Sequence, residues 1–168
     1  MIGKIGLGGG CHWCTEAIFQ SLLGVTKVRQ GWIAAKEVES FSEAIIVYFN
    51  DAVLPLQILI SIHLHTHSCT SDHSMREKYR SAVYVFSETQ KEEVEAILNN
   101  LQSDFTQPIL TKALFFHEFK ENEAQYLDYY HRDPGKPFCE NVITPKLRIL
   151  LNSYSSHVDL KKINHQNG

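Results

Sequence analysis

The stretch "GLGGGCHWCTEAIF", residues 6–19, joins the end of an apolar run to a segment of helical period through three successive glycines. Glycine adopts positive φ at little steric cost, so the run reads as a sharp turn. Before it, Lys4–Leu7 has the composition of a strand; after it, Ala17, Ile18, Leu22 and Leu23 can share one face of a helix. The chain thus opens strand, turn, helix, and Cys11 stands where the helix begins. A cysteine there meets unpaired backbone N–H groups and the positive end of the helix dipole, which favour thiolate over thiol. Cys11 is therefore a candidate nucleophile. The competing reading, a small buried residue beside a plain turn, accounts less well for three glycines and the Cys-x-x-Cys spacing to Cys14.

Beyond this turn, β-branched and aromatic runs predict strands at Val25–Ile33, Ala44–Phe49, Ala82–Phe86 and Ile109–Phe115. Helical period covers Leu54–His65, and "SETQKEEVEAILNNLQ" opens with Ser87 as N-cap and Gln90 three residues on, a capping-box pattern. Further helices are expected over Glu121–Tyr130 and Thr144–Asn152. Up to Phe86 the succession is strand, helix, strand, strand, helix, strand. It predicts an α+β fold, a two-layer sandwich with a ferredoxin-like βαββαβ core, followed by a C-terminal irregular segment plus helix. The irregular part is "HRDPGKPFCENVITPK", whose prolines and glycine suit a segment mobile enough to bring Cys139 to another site. Residues 1–152 read as a single catalytic domain and 153–168 as a polar C-terminal tail.

A chain of 168 residues with 43% hydrophobic content closes one core. Its net charge of -3, spread without long runs, gives no footprint for nucleic acid or an anionic membrane surface. No apolar stretch nears the roughly 20 residues of a membrane span, and the start does not resemble a secretory signal. A cytoplasmic, monomeric protein is expected. Its four cysteines, Cys11, Cys14, Cys69 and Cys139, would remain thiols at rest there, serving reactivity, metal binding or packing. In "HLHTHSC", His63, His65, His67 and Cys69 alternate. On a strand they would share a face and could bind zinc or copper; on a helix continuing from Leu54, alternate residues diverge by about 200°. A structural or pocket-lining role is the favoured reading, and metal binding the rival.

"GGGCHWCTEAIF" resembles the signature of the A-type peptide-methionine (S)-S-oxide reductases, whose usual form is Gly-Cys-Phe-Trp followed by Gly or Cys. "GVTKVRQGW", "FSEAIIVYFN", "KYRSAVYVFSETQ" and "AQYLDYYHRDPGKPFCENVITPKL" resemble later motifs of that family in the family's order, over about residues 3–150. The resemblance implies reduction of methionine (S)-sulfoxide, free or in peptides and proteins, to methionine. Cys11 would attack the sulfoxide sulfur and be left as a sulfenic acid. Glu43 would be the acid, a carboxyl whose pKa a partly dry pocket raises; by itself it would pass for an ordinary strand glutamate.

Trp13 is expected to wall the substrate methyl group together with His12, which stands where the family has phenylalanine and adds a titrating group. Tyr79 matches a tyrosine that holds the sulfoxide oxygen, whereas Tyr84 reads as core. Ser74 occupies the place of a common aspartate, with Asp72 the nearest carboxylate. A second pocket tyrosine has no match, and Trp32 does not replace it. Cys139 is the first choice to resolve the sulfenic acid, Cys14 its rival and Cys69 a third candidate, with thioredoxin reducing the resulting disulfide and no metal or organic cofactor required. The alternatives are a general thiol-disulfide oxidoreductase using Cys11 and Cys14, a metal-binding protein, and a binding module with an unreactive Cys11.

Overall fold

A computed structural model describes residues 1–72, 75–133 and 135–164. The first strand, β1, runs Ile2–Gly8, and the glycines turn it into α1, His12–Gln20. Then come β2 at Val25–Ala35, β3 at Ser42–Asn50, α2 at Leu56–His65, β4 at Ala82–Val85 and α3 at Glu88–Leu101. The order of elements read from the sequence holds this far. Helix α3 starts as its capping pattern predicts: Ser87 Oγ accepts from the Gln90 N–H, and Gln90 Oε1 accepts from the Phe86 N–H.

The sheet departs from the expected two-layer sandwich. A fifth strand, β5 at Lys112–Glu121, pairs antiparallel with β2 and parallel with β4, closing a barrel in the order β1-β3-β2-β5-β4. The expected strand at Ile109–Phe115 starts later and ends later, and it consumes the start of the helix expected at Glu121–Tyr130. That helix is replaced by a 3-10 turn at Ala124–Tyr126 and the single-turn α4 at Tyr129–Arg132. Closure has a physical reason. The free edges of β2 and β4 would otherwise expose unpaired backbone groups, and β5 pairs both.

Alternation divides the strands between two cores. Ile5, Leu7, Ile45, Val47, Val83 and Val85 face the helices, whereas Ile33, Ala44, Ile46, Ala82 and Tyr84 fill the barrel interior. Strands buried on both faces therefore read as continuous apolar runs. Where β2 meets β5, a Cβ on Gly31 would lie 2.0 Å from the Lys120 carbonyl oxygen, so only glycine allows this approach.

The C-terminal segment is more ordered than its composition suggested. Cys139–Ile143 forms a π-helical turn that runs directly into α5, Thr144–Ser153. Beyond Ser153 the expected polar tail folds back over the α1–β2 corner. Leu22 and Val158 form a bridge, the Asp159 N–H donates to the Ser21 carbonyl at 2.8 Å, and Lys162 Nζ donates to the carbonyls of Leu22 and Val25, each at 2.8 Å. A last short helix, α6, spans Leu160–Asn164. Among the described residues no helix is long and apolar enough to cross a membrane.

Candidate active site

The three glycines bring β1 to α1 beneath the α2 end of the barrel. Gly9 has φ +149°, and a Cβ there would sit 2.6 Å from the His67 ring. The turn is held through its carbonyls: His63 Nε2 donates to Gly8 at 2.9 Å and Arg76 Nη1 to Gly9 at 2.9 Å. Arg76 also binds the carbonyls of Ser68, Ser71 and Tyr79, tying the loop after α2 to the same turn.

Of the histidines of "HLHTHSC", the His63 and His67 rings pack together with 4.3 Å between centroids, while His65 points elsewhere. His63 is buried and its pKa is pushed down to about 4 by desolvation, so it is neutral at physiological pH. His67 Nδ1 donates to the His63 carbonyl at 2.6 Å while its Nε2 meets Ser81 Oγ at 2.9 Å; His65 turns away to Asp104 and stacks on Phe105. Cys69 is buried, and burial raises its pKa. Among the described residues no three metal-ligating side chains converge.

Cys11 is the N-cap of α1, with φ -59° and ψ 130°, and its carbonyl accepts from the N–H groups of Cys14 and Thr15. Its sulfur is half-buried and faces the first turn. The Cys14 S–H donates to it, the N–H groups of Trp13 and Cys14 support it, and its pKa falls below the ordinary value despite burial and the nearby Glu43 carboxyl. The Cys14 thiol pays in the opposite direction and is pushed far up, first by the hydrogen bond it donates and then by burial. Cys139 lies behind Cys14, fully buried and raised by burial, close enough for a thiolate there to oppose one on Cys14.

Glu43, on β3 opposite Trp32, is 6% exposed. One oxygen accepts from the His12 backbone N–H at 3.2 Å and meets His12 Nε2 at 3.4 Å; the other is 3.6 Å from Lys78 Nζ. Tyr79 follows in the turn before β4 and lines a pocket of about 310 Å³ with Cys11, Gly10, Met75, Phe138 and Lys146. The Lys78 ammonium also lies over the Tyr79 ring, 5.2 Å from its centroid, and so stands between Glu43 and Tyr79. Tyr84 is fully buried in the barrel interior, hydrogen-bonded to Arg80. Ser74 lies outside the described residues, and Asp72 is exposed beside Arg76.

Trp13, expected to wall the substrate methyl group, is itself packed among aromatic rings. Tyr129 stacks flat on it, with ring centroids 4.0 Å apart and 6° between planes, and Phe138 meets it edge-on at 5.6 Å. These partners were not anticipated, although "YLDYYH" is dense in aromatic residues. Beneath them the buried Glu16 accepts from the Asp128 N–H at 3.1 Å, and burial raises its pKa to about 7. Asp128 itself has φ 54°, the left-handed conformation that starts α4 on the Trp13 face. Glu16, Tyr129, Phe138, Lys78 and Lys146 are the site neighbours that only the fold reveals.

A cysteine with a lowered pKa on a glycine turn, with a second thiol as its hydrogen-bond donor and a carboxyl nearby, defines a thiol redox centre on an α+β barrel. Comparison with known proteins gives that class its family. The family model for peptide methionine sulfoxide reductase matches residues 3–158. Peptide methionine sulfoxide reductase MsrA of Psychrobacter sp. (strain PRwf-1) is 32% identical over 169 residues, covering 90% of this chain and 96% of its own. Among solved structures, reduced Mxr1 from Saccharomyces cerevisiae superposes with a TM-score of 0.73 at 21% identity, over 82% of this chain and 89% of that one. Mxr1 in complex with Trx2 gives 0.60 at 21% identity, over 76% and 84%. The chain belongs to the peptide methionine sulfoxide reductase family, and it is an oxidoreductase that reduces methionine sulfoxide.

Proposed function

We propose that the chain reduces the S epimer of methionine sulfoxide, free or in peptides, with Cys11 as nucleophile and Glu43 as acid. The observation that carries this is the lowered pKa of Cys11 under the Cys14 S–H and the N–H groups of the α1 first turn. The thiolate sulfur bonds to the sulfoxide oxygen's sulfur centre, Glu43 supplies one proton to the oxygen, and the oxygen passes to Cys11. Methionine leaves with the two electrons, and Cys11 remains as sulfenic acid. Tyr79 and Lys78 stand where they can hold the oxygen as negative charge builds on it.

A second thiol then condenses with the sulfenic acid, forming a disulfide and releasing water. The direct contact to Cys11 favours Cys14 for this step, with buried Cys139 exchanging into the bridge afterwards. Thioredoxin is the reductant that fits such a disulfide; the yeast relative with the same fold forms a complex with Trx2. His12 and Trp13 border the reacting sulfur, and the cytoplasm, which keeps thiols reduced, is a compartment that suits the same chemistry. The test is an assay that separates the two epimers of a methionine sulfoxide peptide. The S form alone should be consumed, and Cys11→Ser should abolish consumption; equal use of both epimers would remove the assignment.

A further inference from the structure

His12 is buried at 4% exposure, and its two ring nitrogens have unequal partners. Nδ1 lies 2.9 Å from the Gly31 carbonyl oxygen, which can only accept, so Nδ1 carries a hydrogen. In the neutral ring Nε2 is then a bare lone pair, and it faces Glu43 Oε1 at 3.4 Å. A lone pair opposed to a carboxylate oxygen is repulsive, and here both side chains are nearly dry, at 5% and 7% exposure. A proton between them converts the repulsion into a hydrogen bond.

We infer that His12 is a positioning residue that acts through Glu43, holding one proton in common with its carboxyl so that the acid is reloaded after each turnover. The inference rests on the reading of Glu43 as the acid. Every group facing the pair enters the balance. Lys78 on Oε2 and the His12 N–H on Oε1 favour the carboxylate; the Cys11 thiolate and the Nε2 lone pair favour the protonated pair. Trp32 places its ring edge-on to His12 at 5.2 Å, and the Gly31 carbonyl fixes the tautomer. Burial, the largest influence on His12, disfavours its charged form, and the shared proton lies between Nε2 and the Glu43 Oε1 that faces it at 3.4 Å. When the sulfoxide oxygen takes that proton, the pair is left with one negative charge against a lone pair, which draws the next proton from solvent. No electrons move through His12.

The test uses the unaltered protein first. Nitrogen-15 signals of His12 and the carbon-13 signal of the Glu43 carboxyl are followed across pH. Nδ1 should remain protonated while Nε2 and the carboxyl titrate in one common step, and Glu43→Gln should abolish the Nε2 step. Independent titration of the two groups would overturn the inference. In kinetics, His12→Phe should move the alkaline limb of kcat to lower pH by about one unit, roughly a tenfold loss above it, with KM little changed. His12→Gln, which can still accept from the carboxyl, should recover part of the limb. An unmoved limb in His12→Phe would also overturn the inference. Failure of the acid reading looks different: Glu43→Gln would turn over at the wild-type rate although the unaltered protein shows the common titration step, refuting the acid and with it the loading role.

Discussion

The turn from Gly8 to Cys11 and the segment from Tyr126 to Lys162 form opposite sides of one site and are held by different means. The turn is fixed through backbone groups: its carbonyls take hydrogen bonds from His63 and Arg76, and Gly9 leaves no room for a side chain. The later segment is held mainly by side chains, through the stack of Tyr129 on Trp13, the Glu16 carboxyl on the Asp128 N–H, and Lys162 on the corner carbonyls. Backbone anchoring suits a nucleophile that must sit to within a fraction of an ångström. Side-chain anchoring suits a strap carrying Cys139, which under the proposed mechanism would exchange partners.

Removing the nucleophile itself should have the largest effect: Cys11→Ser is expected to lower sulfoxide consumption at least roughly 1000-fold in single-turnover assays. The next contrast separates the two other thiols. In wild type the rate of Cys11 alkylation by an electrophile should reach its plateau below the ordinary thiol value of 9.0. Cys14→Ala deletes the S–H donor and should lower that rate at pH 7 about tenfold, one pKa unit. Cys139→Ser should leave alkylation unchanged and slow only steady-state turnover with thioredoxin; equal effects of both variants on alkylation would erase the distinction between turn and strap.

A smaller effect probes the strap's anchor. Burial raises Glu16 from the ordinary 4.5 to about 7, which disfavours the charged form in the folded protein. Stability from this group is complete below the unfolded value and is lost as pH rises from about 4.5 to 7. Glu16→Gln removes that loss, so above pH 7 the variant should be more stable than wild type by up to about 3 kcal/mol in urea titrations. At pH 4 the two should coincide; the same gap at both pH values would show that Glu16 ionises freely. Smallest is the cap of α3, remote from both sides: Ser87→Ala should cost about 1 kcal/mol with kcat unchanged.

The first four strands and first three helices were legible because each shows its own period, turn or cap: three glycines before α1, Ser87 and Gln90 before α3, apolar runs in β3 and β4. Strand β5 was only half legible. "KALFFHEFKE" is partly exposed, with lysine and glutamate at its ends, and its existence as the closing strand depends on two edges left open far earlier in the chain. The site divides the same way. Cys11, Cys14, Glu43, Trp13 and Tyr79 could be given roles from their motifs, whereas Glu16, Lys78 and Tyr129 lie within quoted motifs but only the fold shows what they touch.

Sequence alone marked where a thiolate would be favoured, since helix N-termini, glycine turns and thiol spacing act over a few residues, and it determined the family through motifs kept in order. Only the tertiary structure decided that the sheet closes, that the C-terminal strap lies on Trp13, and that His12 points its lone pair at Glu43. Those contacts join residues 31 to 116 positions apart, as in His12 with Glu43 and Trp13 with Tyr129. At such separations the cost of closing the loop is met by the whole core, so no local pattern records which partners meet.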